Sequence, residues 1–321
     1  EYKEIENKVI AEIVERLQEM AKQAISDNYT ISSNKVTQAM VDEAQGILTG
    51  LLDIPDVDTF NDMLLKLFTV IPRRMGNVKD YLVKSTEDFA KIIQREQDLL
   101  DVMRGQVVQK QIMDDTKDND DNKNENTILE QLGLEFDECN DKDIAVIKDA
   151  LGSCADRFYK AWKVKNVKTQ ERFEKFVKEN NIKNTKLLFH GSRNENWWSI
   201  INTGLVLKPT NAVITGKMFG YGIYYAPKAR KSLGYTSLDG SYWVRGNSKS
   251  GFMALMDVAY GKPYDVYSFD SKYYNFNYDR LQEACNGANC LHAHEGSMLR
   301  NDEIIVYKED QCTIRYLIEL R

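Results

Sequence analysis

The 321-residue sequence has no net positive charge, no apolar stretch long enough to span a membrane and no regular cysteine pattern. At a formal charge of −6, the chain as a whole has no electrostatic reason to seek phosphate backbones, so nucleic acid is not its default ligand. Without a spanning segment, no membrane partner is expected. Five cysteines, Cys139, Cys154, Cys285, Cys290 and Cys312, form an odd and scattered set. They fit a reducing, intracellular compartment better than a disulfide scaffold. The start, Glu1-Tyr2-Lys3, lacks both an initiator methionine and a signal-peptide pattern, which predicts a processed or trimmed fragment with further domains upstream. A regular internal repeat is absent too.

What the first third does contain is helical periodicity. Ile5, Val9, Ile13, Leu17, Met20, Ala21 and Ala24 form an apolar stripe opposite Glu and Lys. Val36, Met40, Ala44, Ile47 and Leu48 predict a second helix capped by Ser32 or Ser33, and FNDMLLKLFTVI a third, capped by Asp58 or Thr59 and stopped by Pro72. A further helix is expected over 78–94, with another reaching Met103. Each stripe needs an apolar partner, so an all-α bundle follows. Residues 114–126, DDTKDNDDNKNEN, hold no apolar side chain and cannot repay the entropy of ordering. They predict an exit loop, dividing a domain at 1–126 from a second at 127–321.

The second part changes rhythm. The segment 144–162 reads as helix, and Thr169 can cap another that presents Phe173, Phe176 and Val177. Short apolar runs follow at 186–189, 222–226, 252–259, 264–268, 304–307 and 313–320. Irregular Gly, Asn and Tyr segments separate them without a βαβ rhythm, which predicts an α+β domain with mixed, mainly antiparallel sheets.

Within that domain the polar residues beside apolar elements are His190, Tyr224, Lys231, Ser232, Tyr235 and Glu303. A histidine running into Gly191 suits a metal ligand, a base or a holder of ligand hydroxyls, and equally a satisfied core histidine. The tyrosines suit strand packing, and Glu303 suits the polar end of a strand. Spacing alone leaves these alternatives open.

Four ordered blocks narrow them: LLFHGSR from Leu187, TGKMFGYGIYYA from Thr215, KSLGYT from Lys231 and NDEIIVY from Asn301. Together they resemble the catalytic region of the poly(ADP-ribose) polymerases over 185–321, and MLLKLFTVIPRRMG resembles a characteristic segment of the helical regulatory domain that precedes it. The resemblance implies an ADP-ribosyltransferase fold and NAD+ as co-substrate. It also implies a glycosyltransferase, specifically a pentosyltransferase, that cleaves the nicotinamide–ribose bond. ADP-ribose then passes to protein side chains, the enzyme's own included, or to a growing chain. The family's catalytic triad falls on His190, Tyr224 and Glu303. By the same resemblance Gly191 reads the nicotinamide carboxamide with its backbone, Ser232 adds a hydroxyl bond, Tyr235 stacks on the ring and Tyr224 covers its other side. His190, with Ser192 nearby, holds the adenosine ribose, and Glu303 accepts from the 2′-hydroxyl of the nicotinamide ribose. Lys231 and Ala226 complete the implied NAD+-binding set.

Retention of His190, Glu303, Lys231 and Met218 implies polymer formation. Val206, where the DNA-dependent members carry arginine, and Asn301, in place of an acceptor-side tyrosine, keep mono-ADP-ribosylation as the alternative. A non-catalytic module that binds NAD or ADP-ribose is a further class, against which the presence of Glu303 speaks. The resemblance also implies that the helical domain restrains the NAD+ site; Asp98 and Asp101 are candidate contacts from it to the nucleotide, with helix-surface charge the favoured reading of each. DNA enters only through upstream domains, and a nuclear, DNA-damage setting follows if the source is eukaryotic.

The family calls for no metal. Cys285, Cys290, His292 and His294 nevertheless place four soft or borderline ligands within ten residues, the one zinc pattern in the chain, although the spacing matches no pair of C-x-x-C knuckles and a polar loop reads as well. Arg73, Arg74, Arg245 and Lys249 read as solvated charges.

Overall fold

Side-chain caps partition the N-terminal third. Asn7 accepts from the backbone of Val9 and Ile10 to start α1 (Lys8–Asn28), Thr37 starts α2 (Gln38–Leu51) and Asp56 starts α3 (Val57–Val70). The caps of the second and third helices thus differ from the expected residues, because Ser32 caps a short 3₁₀ turn, Ser33–Lys35, instead. In this computed structural model the described residues are 2–117, 125–211, 218–239 and 246–321. Thr215, Arg245 and most of the acidic exit loop lie outside them.

The helix expected over 78–94 forms only from Phe89 onward; two 3₁₀ turns, Val78–Tyr81 and Thr86–Asp88, take the place of its first part. Asn77 and Ser85 cap these turns, and Asn61 bonds both backbone groups of Val83, which pins the segment away from helical geometry. One long helix, α4 (Phe89–Lys117), then runs through Met103 into the acidic stretch. Arg73 is a second departure: it is buried, paired with Glu96 and bonded to the Asn28 carbonyl. Three aromatic rings, those of Tyr29, Phe68 and Tyr81, surround its guanidinium.

Beyond 124 the chain forms α5 (Ile128–Leu132), β1 (Leu134–Glu138), α6 (Asp141–Leu151), β2 (Phe158–Asn166), α7 (Val167–Glu179), β3 (Lys186–Gly191) and α8 (Trp197–Thr203). It continues through β4 (Ile223–Tyr225), α9 (Ala229–Leu233), β5 (Gly251–Val258), β6 (Pro263–Val266), α10 (Tyr278–Ala284), β7 (Cys290–Ala293), β8 (Glu303–Val306) and β9 (Cys312–Leu320). Trp162, expected in a helix, lies in β2, because α6 ends at Gly152, whose φ of 53° suits glycine.

The strands make two sheets, β1-β2-β9-β5-β3 and β4-β8-β7-β6, antiparallel apart from the β6–β7 pair. A reciprocal pair of backbone bonds, Phe189 N–H to Ala226 O at 2.8 Å and Ala226 N–H to Phe189 O at 3.1 Å, joins the edge of the first to the second. The helices do not stand apart from this framework. One apolar cluster runs from Leu17, Leu48 and Leu64 through Trp197 and Trp198 to Phe252 and Ile304. Arg16 of α1 also grips the buried Glu319 of β9 with two bonds of 2.9 and 3.0 Å.

Contact between α4 and α8 is close enough to require glycine. A methyl group at Gly105 would lie 2.5 Å from Ser199 Oγ and 2.9 Å from its Cα. Gly105→Ala should therefore destabilise the protein by about 1–3 kcal/mol. Gly46→Ala, in α2 with nothing within 4 Å of the added methyl, should stabilise it by about 0.5–1 kcal/mol. Urea unfolding midpoints of the two variants check both signs.

Candidate active site

Where the two sheets meet, α4, α8 and α9 wall a cleft that encloses about 1180 Å³ of space, part of it open to solvent. Strand alternation decides what faces it. In antiparallel pairing, residues whose backbone groups bond one neighbour alternate with residues whose groups point to the other side. Phe189 directs its N–H and C=O away from β5, onto Ala226. Gly191, two residues on, repeats that orientation at the cleft, offering one donor and one acceptor together. A side chain there is impossible: a Cβ would meet the Ser232 carbonyl oxygen at 2.1 Å.

His190 lines the cleft between these positions, with Trp197 and Tyr225 packed edge-on at 6.3 and 6.2 Å. Its enclosure lowers its pKa to about 4, against an opposing hydrogen bond to the Tyr224 backbone. The ring is therefore neutral at pH 7, with one nitrogen engaged and the other an acceptor.

From the second sheet come Tyr224 and Glu303, which share a face because Tyr224 pairs with Ile305, two residues beyond Glu303. The Tyr224 hydroxyl donates to the Gly220 carbonyl at 3.0 Å and accepts from Phe219 N–H at 3.2 Å, which fixes the ring. Glu303 is buried. Its Oε1 takes the Lys231 ammonium, whereas its buried Oε2 has no hydrogen-bond partner among the described residues. Burial raises the Glu303 carboxyl above the usual carboxylate range, and Lys231 opposes that rise. Tyr235 stands beside it, its hydroxyl kept protonated by burial and then by the Glu303 charge.

All the expected site residues, His190, Gly191, Ser192, Tyr224, Ala226, Lys231, Ser232, Tyr235 and Glu303, line this one cleft, and so does Val206. Asp98 and Asp101 line it from α4. Burial, aided by the Asp101 charge, pushes Asp98 up to about 7. Lys208, which sequence patterning does not single out, is paired with Asp101 from a segment of irregular structure after α8. Its only signal was a lone cation between an apolar run and Pro209.

The four-ligand zinc pattern is not assembled. Cys285 caps α10 and packs into an apolar cluster, and Cys290 is buried with its thiol pushed up to about 12 by burial. Among the described residues, the grouping close enough to share an ion is Asp265, His292 and His294.

Residues 142–321 match the family model described as the poly(ADP-ribose) polymerase catalytic domain. A poly [ADP-ribose] polymerase-like protein of Invertebrate iridescent virus 6 is 33% identical over 169 residues, 50% of this chain and 85% of the relative. Poly [ADP-ribose] polymerase 2 of Zea mays is 26% identical over 288 residues, 79% of this chain and 42% of the relative. Poly [ADP-ribose] polymerase 1 of Gallus gallus is 25% identical over 256 residues, 78% of this chain and 23% of the relative. The chain thus spans most of the viral relative but less than half of the maize and chicken ones.

The Lys231–Glu303 pair yields a direct test. With Lys231→Met, desolvation of Glu303 is unopposed, so the carboxyl should hold its proton to higher pH than in the parent. The protonated-carboxyl infrared band, followed in a pH series and assigned with Glu303→Gln, reads this out. A Glu303 titration that stays in place or moves to lower pH would contradict the pairing.

Proposed function

The chain belongs to the poly(ADP-ribose) polymerase family, and from that premise we propose that it is an NAD+-dependent protein ADP-ribosyltransferase that builds poly(ADP-ribose). The observation that carries this reading is the buried, unpartnered Oε2 of Glu303, held beside Lys231 in the cleft that Gly191, Ser232, Tyr224 and Tyr235 also line. A buried carboxylate oxygen is costly unless something bonds it, and a ribose hydroxyl does so.

In this mechanism the backbone N–H and C=O of Gly191 take the nicotinamide carboxamide, with the Ser232 hydroxyl as a second donor. Tyr224 and Tyr235 cover the two faces of the ring and exclude water. Neutral His190 uses its acceptor nitrogen on the adenosine ribose. Glu303 Oε2 accepts from the 2′-hydroxyl of the nicotinamide ribose, so its negative charge lies next to the oxocarbenium that forms as the C1′–N bond breaks. Nicotinamide departs with that electron pair. An acceptor oxygen then bonds to C1′ and gives up its proton, leaving ADP-ribose on a protein side chain or on a growing chain.

The Asn301 side chain, tied to Arg230 at 3.0 Å on an exposed rim, favours a second reading in which transfer stops after one ADP-ribose. A nuclear, DNA-responsive setting belongs to the proposal on family grounds alone. The deciding experiment incubates the protein with labelled NAD+, with and without broken DNA, and sizes the protein-linked product. Polymer supports the proposal, a single unit supports the second reading, and free ADP-ribose or no nicotinamide release excludes both. In the same assay Glu303→Gln should cut turnover roughly 10²-fold while NAD+ still binds, the signature of a contact that matters in the transition state. Unchanged turnover would remove Glu303 from the mechanism.

We further propose that α4 restrains the site. Asp98 and Asp101 place carboxyl groups on the wall of the cleft proposed to take the anionic dinucleotide, and Asp101 occupies the Lys208 and Arg104 cations. Because the bundle and the sheets share one apolar cluster, removing residues 1–126 would strip the core, so a single-charge change is the cleaner test. Asp101→Asn should lower KM for NAD+ roughly 1.4- to 5-fold, in keeping with about 0.2–1 kcal/mol for a partly screened charge. Initial rates across an NAD+ series check this, and a raised or unchanged KM counts against restraint by α4.

A further inference from the structure

The face of the β7–β8 hairpin opposite the Glu303 side chain carries a hydrogen-bond relay that the mechanism above does not use. Successive side chains of a strand point to opposite faces. Ala293 pairs with Glu303 and His292 with Ile304, so His292 lies on the face opposite Glu303, diagonal to Asp302. His292 Nε2 is 2.7 Å from Asp302 Oδ2, and its Nδ1 is 2.7 Å from the hydroxyl of Tyr260, a buried residue just past the end of β5. The other Asp302 oxygen accepts from the Glu295 N–H at 2.7 Å. His294 stacks on His292, with centroids 4.0 Å apart and planes 1° from parallel, but its Nε2 is bonded to a different carboxylate, Asp265, at 2.7 Å. The two rings therefore do not converge on one point, and His294 covers one face of its neighbour. One proton arrangement satisfies the relay. Burial alone would raise the Asp302 carboxyl, but the bonds from His292 and the Glu295 N–H outweigh it and hold the group below the usual carboxylate range, so it accepts. Burial keeps the proton on the Tyr260 hydroxyl, which donates. His292, between them, accepts at Nδ1 and donates at Nε2.

We propose that Tyr260, His292 and Asp302 are positioning residues that aim Glu303, an inference that rests on the reading of Glu303 as the catalytic carboxylate. Asp302 immediately precedes Glu303, so holding its side chain from behind fixes the backbone from which Glu303 projects. In the cleft the carboxylate is held through Oε1 by Lys231, and its remaining freedom lies in that backbone. The far end of the relay is anchored elsewhere. Tyr260 extends from β5, the strand paired with β3, and the Lys186 ammonium at the start of β3 sits 4.0 Å from the centroid of its ring. The relay thus ties the start of β8 to the sheet whose β3 carries His190 and Gly191. Buried polar groups whose bonds are all made rigidify the segments that they join. The distance between the carboxylate and the groups expected to hold nicotinamide is fixed in this way from the back of the hairpin.

The first test reads Glu303 itself and needs no transfer activity. His292→Leu in the full chain removes both bonds of the imidazole. With the start of β8 loosened, Lys231 opposes the burial of Glu303 less well, so the protonated-carboxyl infrared band assigned with Glu303→Gln should titrate at higher pH than in the parent. His292→Gln, whose amide nitrogen can still donate to Asp302, should return the titration towards the parent. Tyr260→Phe deletes one hydroxyl and keeps the packed ring, so it should move the titration in the same direction by less, and it decides the matter if His292→Leu does not fold. A Glu303 titration that stays in place or moves to lower pH in the folded variant overturns the proposal. In the transfer assay His292→Leu should lower kcat roughly 10-fold with KM for NAD+ little changed, as for a misaimed group, and should add no further loss in the Glu303→Gln background. An equal loss in both backgrounds would mark a purely structural role and overturn the proposal as well. Absence of nicotinamide release by the parent would remove the proposed function and leave the infrared test of the relay to decide by itself.

Discussion

Two backbone hydrogen bonds between Phe189 and Ala226 hold the active cleft together. They join the edge of the five-stranded sheet to the four-stranded one, and the parity of every functional residue follows. With Phe189 bonded outward, Gly191 presents its amide groups on that same edge. Continuing the β4–β8 register by one residue sets Ala226 across from Glu303. The glycine-bearing strand and the carboxylate-bearing strand are thus placed by a single junction, although more than a hundred residues separate them in sequence.

That junction also accounts for the electrostatics. A carboxylate at a sheet seam loses water on most sides, and the loss raises its pKa. Lys231, on the short helix α9, opposes that rise through one oxygen only. Breaking a buried pair of this kind leaves an uncompensated charge, so the pair constrains the cleft more than it stabilises the fold. The other oxygen keeps the polarity that a substrate hydroxyl can use.

Much of this was legible in the sequence, and the failures have identifiable causes. That His190, Tyr224 and Glu303 stand at strands was readable because each sits in or beside an unbroken apolar run, whereas their roles rested on the family resemblance and not on spacing. The strand holding Trp162 was misread as helix because a register shift between Phe158 and Lys160 spoils the two-residue alternation. The segment 78–88 kept helical spacing, yet Asn61 holds its backbone elsewhere, a tertiary bond that local pattern does not encode. Arg73 looked like a solvated charge because its partner Glu96 and its aromatic cage, Tyr29, Phe68 and Tyr81, come from four different segments. Nor did spacing in the Cys285 to His294 region reveal that the histidines bond Asp265, in β6, and Asp302, just ahead of β8, and not the cysteines.

The coupling between bundle and cleft is concentrated on one face of α4. Asp101 O accepts from Ser199 Oγ at 2.7 Å, Gln109 accepts from Trp198 Nε1 at 2.7 Å, and Gln97 accepts from Thr210 at 2.9 Å. Between them Gly105 packs backbone-close to Ser199. The same stretch of helix supplies Asp98 and Asp101 to the cleft wall. Asp101 belongs to both grip and wall, and the other grip residues lie within about two turns of it on the same helix, so α4 cannot shift along its axis without changing the cleft. A helix buried in a shared apolar cluster resists such a shift as a rigid unit. Local opening at its polar contacts exposes far less apolar surface than withdrawing the bundle, and is the cheaper route by which the helical part can act on the site.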